Sequence, residues 1–234
     1  MKLLTIVIPC FNEKDSLPVL IDNLLKLNNY IDFLIIENGS TDGSKSYLKN
    51  IENDLNSNIK ILYLKKNEGY GNGVFKGIQS IENSFYIGWI HGDLQFEFEK
   101  INNIVDKLKM FSDNEPFIFY KGIRSGRSYS ERFFSYYMGV LASYILKIKL
   151  YEINAQPTIF SKALVKELDN PPKDFRFDTY VYWVAMRNNY RVIRDEFNFP
   201  KRKYGDSKWN FGFKSRLKFS KLLIDYFYKL KKTQ

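Results

Sequence analysis

Cysteine and histidine are almost missing from this chain of 234 residues, with Cys10 and His91 the only ones of their kind. A lone cysteine leaves no internal disulfide framework and suits a reducing, cytoplasmic compartment. One cysteine and one histidine also argue against a zinc centre of the usual kind. Cys10, beside a strand end, is read as a small buried residue and not as a nucleophile. Long hydrophobic runs are lacking too. No stretch approaches the ~20 apolar residues that a membrane span needs. The opening "MKLLTIVIPCFNE" is β-branched and broken by Pro9 and Asn12, unlike a secretory leader. The expectation is a soluble protein, or one peripheral on the inner face of the cytoplasmic membrane.

What is present suits one large domain: 44% hydrophobic and 17% aromatic residues. The formal charge of +10 is uneven. From Lys201 to Gln234 there are eleven Lys or Arg against Asp206 and Asp225, so the tail carries +9 and the body is nearly neutral. A basic tail points to a phosphate-rich or anionic-membrane partner, with a solvated helix face as the bland alternative. Nucleic acid is not expected as the partner.

Short apolar, β-rich runs at 4–9, 32–37, 59–64, 85–91 and 117–121 alternate with helical patterns through the first half. In the first helical pattern apolar residues fall at 17, 20, 21, 24, 25 and 27, after Ser16 as a plausible N-cap. Further helices fit 43–53, 73–82 and 98–111. Near-continuous apolar strands alternating with helices predict an α/β, Rossmann-like, mostly parallel sheet with helices on both faces. Residues 130–150 form an aromatic-rich helical pattern that suits either a core helix or an interfacial one. At 213–232 the residues Phe219, Leu222, Leu223, Tyr226 and Leu230 recur at helical spacing among lysines. The chain thus divides into a domain of residues 1–212 and a basic amphipathic helix of 213–234, the latter suited to docking on an anionic membrane surface.

Ligands of such sheets gather at the carboxyl ends of the strands. Here those ends read "PCFNE", "ENGSTDGS", "KKNEGYGNG" and "HGDLQ", all polar. "ENGSTDGS" supplies a carboxylate for a ribose or base edge and a turn leading to a helix N-terminus. The glycines of "NEGYGNGVFKG" do not match a dinucleotide fingerprint in spacing or in place, which argues against a nicotinamide-dependent oxidoreductase. In "HGDLQ", side chains two apart along an extended segment point the same way, so His91 and Asp93 can face one ion with Gln95 beyond. His91 has three readings: a metal ligand, a hydrogen-bond donor to phosphate or acceptor, or a structural residue.

In this order the motifs resemble the family-2 glycosyltransferases, in particular the polyprenyl-phosphate (dolichyl-phosphate) mannose and glucose synthases. "TIVIPCFNE" is similar to their opening strand, "LIIENGSTDGS" to "VVDDGSTDGT", and "NEGYGNGVFKGI" to "N-x-G-x-G-x-A". "WIHGDLQ" falls where they carry "DADLQ", and "GIRSGRSYSERFFS" resembles "GSR…S-x-x-R". "FRFDTYVYWVAMRNNYRV" matches the region of their second acidic position, and "KRKYGDSKW" resembles "R-x-x-G-x-S-K". The resemblance runs collinearly over residues 4 to 212.

It implies a GT-A fold, a nucleotide-sugar donor, Mg²⁺ or Mn²⁺, and inversion at the anomeric carbon. Carried over by position, Pro9, Asn12, Glu13, Glu37 and Asn67 contact the nucleoside. Asp93 and Gln95, with His91 as the open case, hold the metal on the diphosphate. Arg124, Arg132, Arg202 and Lys208 neutralise phosphates, and Asp178 is the acidic residue near the acceptor. Asp178 is then the candidate base for a sugar hydroxyl, whereas a lipid phosphate needs none. The expected activity is sugar transfer to a lipid-linked or polysaccharide acceptor in cell-envelope glycan synthesis. The alternatives are a polyprenyl-phosphate sugar synthase proper and a non-catalytic nucleotide-sugar-binding protein.

Three departures stand out. Asn38 replaces the second aspartate of "DDGS", His91 replaces the first aspartate of "DADLQ", and "NAQPTIF" (154–160) stands where the synthases have "SGFRLF". The last removes an arginine and a glycine near the acceptor, so the acceptor is expected to differ from polyprenyl phosphate.

Overall fold

The computed structural model describes residues 2–27, 30–111, 117–200 and 213–233, with side chains of the last segment from Phe219 onward. Five strands fall where the apolar runs predict them: β1 (Lys2–Cys10), β2 (Ile31–Glu37), β3 (Ile59–Tyr63), β4 (Ser84–Trp89) and β5 (Ile118–Ser125). Two more complete the sheet, β6 (Thr158–Ser161) and β7 (Arg191–Asn198). Among the described residues the strand order is β3-β2-β1-β4-β6-β5-β7. All pairs are parallel except those of β6, which runs antiparallel between β4 and β5.

The helices are α1 (Leu17–Leu25), α2 (Ser44–Ile51), α3 (Tyr70–Gln79), α4 (Ile101–Phe111), α5 (Tyr129–Leu146), α6 (Arg176–Arg187) and α7 (Phe213–Lys231). The period-2 alternation of a strand divides their burial between two faces. On β1, Leu4, Ile6 and Ile8 meet α1 and α4 through Leu20, Leu24, Ile101 and Ile104. Val7 points the other way, into a core built with Val74 of α3, Met138 of α5 and Phe177 of α6. Aromatic stacking seats α6 on that second face. Phe119 of β5 lies parallel to Tyr182 at 5.1 Å, and Trp89 of β4 meets Phe177 at 5.3 Å.

α5 starts under a capping box, Ser128 accepting from the Glu131 N–H while Glu131 accepts from the Ser128 N–H. Lys147, in the left-handed region at φ 53°, ends it. The tail helix differs from its expected role as an appendage. Leu223, Tyr226, Phe227 and Leu230 are buried in the same core as α5 and α6, and Phe219 stacks on Phe175 at 4.3 Å. Its apolar stripe is thus occupied by protein, and its lysines at 221, 229, 231 and 232 face outward.

Candidate active site

The carboxyl ends of β1, β2, β3 and β4 lie side by side, and their loops are stitched together by short polar bonds. Asn12, at φ 57°, accepts from the Thr41 N–H (2.8 Å), and its own N–H donates to Ser40 Oγ (3.0 Å). The Glu13 N–H donates to Ser44 Oγ (3.0 Å) and Ser16 Oγ donates to the Glu13 carboxylate (2.9 Å). Pro9 closes β1 in register with Ile36. Glu37 is wholly buried; one oxygen accepts from the Ser40 N–H (2.5 Å) and the other, Oε2, has no hydrogen-bond partner among the described residues. Asn67 accepts from the Gly69 N–H (2.8 Å) and from Asn38 Nδ2 (3.5 Å), so Asn38 does a bridging job that a carboxylate at that place would not. Gly69 is required here: φ is +112°, and a Cβ would lie 2.3 Å from the Lys173 carbonyl oxygen. This close approach brings the loop before α6 onto the start of α3. Cys10 is buried and free, and burial pushes its thiol well above the usual range, as expected of an inert residue.

At the end of β4 the polar groups converge. The His91 N–H donates to Gln156 Oε1 (2.5 Å), anchoring the strand end to the segment before β6. Tyr70, from the first position of α3, donates its only proton to Asp178 Oδ1 (3.2 Å). Its oxygen therefore accepts from His91 Nε2, 2.9 Å away. When His91 is neutral, this chain holds it as the Nε2–H tautomer, and Nδ1 faces Asp93 Oδ2, 3.9 Å distant. In that form both atoms are electron-pair donors, a pair suited to one cation. The separation is also below the ~4.2 Å that two bonds of about 2.1 Å to one ion span. The Gln95 N–H donates to Asp93 Oδ1 (3.2 Å), while the Gln95 side chain donates to the Pro200 carbonyl (2.8 Å). Among the described residues no three His, Cys, Asp or Glu side chains are placed to hold an ion by themselves.

Asp178, in the first turn of α6, is buried, and burial raises its carboxyl above the ordinary 3.8. The charge of Lys121, that of His91 when it is protonated, and the Tyr70 hydroxyl oppose that rise. Lys121 was not among the residues expected at the site. It ends the run "FIFYK", is fully buried on β5, and donates to Thr158 Oγ1 (2.6 Å). A lysine closing an otherwise apolar strand was the available signal.

The arginines lie further along β5 and on α5. Arg124 donates to Glu152 (2.7 Å) and to Ser135 Oγ (3.4 Å), and Arg127 approaches the other oxygen of Glu152 at 3.8 Å. Arg124 is thus charge-compensated within the protein. Arg132, in contrast, lines a cavity of about 590 Å³ together with Arg124, Tyr129, Phe133, Tyr136 and Glu196. The structure brings Asp93, His91 and Asp178 together through Tyr70, whereas Arg132 lines a cavity that none of these residues borders. Arg202 and Lys208 lie outside the described residues.

A mostly parallel sheet that gathers acidic and amide side chains at adjacent strand ends, with one antiparallel strand beside them, is the GT-A glycosyltransferase fold. Solved structures share it. The mannosyltransferase PcManGT from Pyrobaculum calidifontis, in complex with GDP-Man and Mn²⁺, aligns with a TM-score of 0.62 at 17% identity, over 86% of this chain and 58% of that one. Glucosyl-3-phosphoglycerate synthase from Mycobacterium tuberculosis, in complex with Mn²⁺ and UDP-Glc, aligns at 0.67 and 14% identity, over 95% and 78%. Residues 5–150 match the model of glycosyl transferase family 2, and the chain belongs to that family. Among curated relatives, dolichyl-phosphate beta-glucosyltransferase of Dictyostelium discoideum is 28% identical over 122 residues, 48% of this chain and 37% of that protein. Undecaprenyl-phosphate 4-deoxy-4-formamido-L-arabinose transferase of Yersinia pestis (strain Pestoides F) is 31% identical over 109 residues, 45% and 33%. The matched stretches span about a third of the length of these relatives.

Proposed function

We propose that this chain is an inverting glycosyltransferase that moves a sugar from a nucleotide diphosphate to a lipid-linked or glycan acceptor. The observation that carries the reading is the chain Asp178–Tyr70–His91, closing on Asp93 at the end of β4 in a family-2 scaffold. Asn12, Glu13 and Asn67 border the place for the nucleoside, with Pro9 at the end of β1. The unpartnered Glu37 Oε2 beneath them suits a ribose hydroxyl or a base N–H.

His91 Nδ1 and Asp93 fit a divalent cation, Mg²⁺ or Mn²⁺, whose remaining ligands would come from the donor's phosphates. Such an ion, when bound, stabilises the charge of the departing diphosphate. Tyr70 then acts on the far nitrogen of His91, fixing its tautomer as partners of ligating histidines commonly do. Asp178 is the base toward an acceptor hydroxyl: buried, its carboxyl raised above the ordinary value by that burial, and held by the Tyr70 hydroxyl. The attacking oxygen loses its proton to Asp178 as it bonds the anomeric carbon and the diphosphate leaves on the opposite face. Arg132 offers a positive charge to the acceptor side of the cavity. Arg202 and Lys208 are proposed for the same phosphates from sequence alone.

The aromatic side of α5 suits a membrane surface. Tyr129, Phe133, Tyr136, Tyr137 and Tyr144 are 54–90% exposed on one side of the helix. α7, packed beside α5, turns lysines to solvent. Aromatic rings at headgroup depth beside lysines are what an anionic lipid surface attracts. No described helix is long and apolar enough to cross a membrane.

A panel of nucleotide sugars, assayed for donor hydrolysis and transfer with added Mg²⁺ or Mn²⁺, tests the activity. Full activity in Asp93→Ala would refute the metal assignment, and no turnover of any donor would refute the reading itself.

A further inference from the structure

Lys121 is the one fully buried lysine among the described residues, and its only hydrogen bond among them is to a neutral hydroxyl, Thr158 Oγ1. An ammonium so placed has lost its water and gained little in direct exchange, which is costly unless another charge compensates it. The sheet shows where that charge lies. Thr158 of β6 is in register with Lys121 of β5 on one side and with Trp89 of β4 on the other. Trp89 meets Phe177, the residue before Asp178, at 5.3 Å between rings. The row Lys121–Thr158–Trp89 therefore runs beneath the first turn of α6, where Asp178 is buried.

Lys121 and Asp178 form no direct ion pair; each is hydrogen-bonded to a neutral partner, Thr158 and Tyr70. Four charged groups act on the ammonium: Asp178 and Glu152 favour its charge, while Arg124 and Arg194 oppose it. Burial is the largest influence and lowers its titration to about 7, with Asp178 the strongest counterweight. In return Lys121 is the foremost of the groups that favour ionised Asp178, ahead of His91 and Tyr70.

The segment 154–160 gives this pair its meaning. Aligned on its closing Phe160, "NAQPTIF" puts Thr158 where "SGFRLF" has arginine. Where the resemblance implies an arginine on β6, the adjacent strand places the Lys121 amine on the Thr158 hydroxyl.

We propose that Lys121 is the positioning cation of the transfer site, compensating the buried charge of Asp178 from β5 in place of an arginine on β6. It rests on the glycosyltransferase reading for its catalytic consequence, but the charge pair itself does not. Lys121 touches neither donor nor acceptor; it acts through Asp178.

The pair is tested first without turnover, by thermal unfolding of Lys121→Met, Asp178→Asn and the double variant. Each single variant leaves a buried charge alone, so each lowers Tm, and the double variant loses less than the two losses added. Additive losses would overturn the pairing. Turnover is tested next. Lys121→Met is expected to lower kcat at least about tenfold, a share of what a general base supplies, with donor KM within about twofold. The acid limb of its pH profile should move to higher pH, because a group that keeps Asp178 ionised has gone. Adding Thr158→Arg to Lys121→Met should restore most of kcat and return the acid limb. Failure of that rescue, with nucleotide binding intact, would overturn the role as positioning cation. A wild-type protein inert toward every donor would refute the enzymatic reading, while the unfolding cycle would still decide the pair.

Discussion

Tyr70→Phe removes one oxygen and breaks two bonds at once: donation to Asp178 Oδ1 at 3.2 Å and acceptance from His91 Nε2 at 2.9 Å. A hydrogen bond to a charged group contributes about 1.5–3 kcal/mol, and a partly buried neutral one about 0.5–1.5. Tyr70 is half-buried, so the expected loss is about 2–3 kcal/mol. In a domain of this size each kcal/mol lowers Tm by about 2–4 °C, which puts the fall at roughly 4–12 °C. The loss also depends on pH. Burial raises Asp178 above 3.8, and the Tyr70 hydroxyl pulls it back down. Between 3.8 and the raised value the folded protein binds more protons than the unfolded chain, so stability falls as pH rises. Without Tyr70 Oη that interval widens. The deficit against wild type should then be smallest at the acid end, where more of Asp178 is protonated in both, and grow to a plateau above the variant's own titration. Scanning calorimetry at pH 4, 6 and 8 measures it. In an Asp178→Asn background the pH-dependent part should vanish. An equal deficit at pH 4 and pH 8, or a loss below about 1 kcal/mol, would refute the proposed hydrogen-bond chain.

Other outcomes follow from the same geometry. Gly69→Ala adds a Cβ that would lie 2.3 Å from a backbone oxygen at φ +112°; a loss of at least about 2 kcal/mol is expected in urea unfolding, with weakened nucleotide binding. Ser128→Ala opens the capping box of α5 and should cost about 1 kcal/mol, or 2–4 °C in Tm. Phe133→Ala with Tyr144→Ala removes rings that are 72% and 83% exposed; Tm should hold while co-sedimentation with anionic vesicles falls, and unchanged sedimentation would count against that surface. Asp93→Ala should abolish any Mn²⁺-dependent gain in nucleotide affinity measured by calorimetry, with binding in chelator unchanged.

Much of the fold was legible because the strands that are buried on both faces declare themselves as continuous apolar runs. Residues 4–9 and 32–37 lie within β1 and β2, and the edge strand β3 matches the apolar run 59–64 to within a residue. β6 escaped because four residues, "TIFS", carry no period and pair only where β4 and β5 leave a gap. β7 escaped because an edge strand, "RVIRDEFN", needs apolar residues on little of its length. The amphipathic pattern of 213–232 was real, but periodicity says only that a face is apolar, not whether lipid or protein covers it; here α5 and α6 do.

The site divides in the same way. Sequence alone determined which strand ends are polar, the family, and the candidacy of Asp93, His91 and Asp178, because these reside in local motifs whose spacing is set by the chain itself. Tertiary structure decided the rest. Tyr70 and Asp178 are 108 residues apart and meet only through folding. That meeting chooses the tautomer of His91, turning an anomalous histidine into a nitrogen facing Asp93. Lys121 and Thr158, 37 apart, become partners only because β6 inserts beside β5. Charge compensation acts across space, and a cation missing from one strand can be supplied by its neighbour only once the sheet has formed.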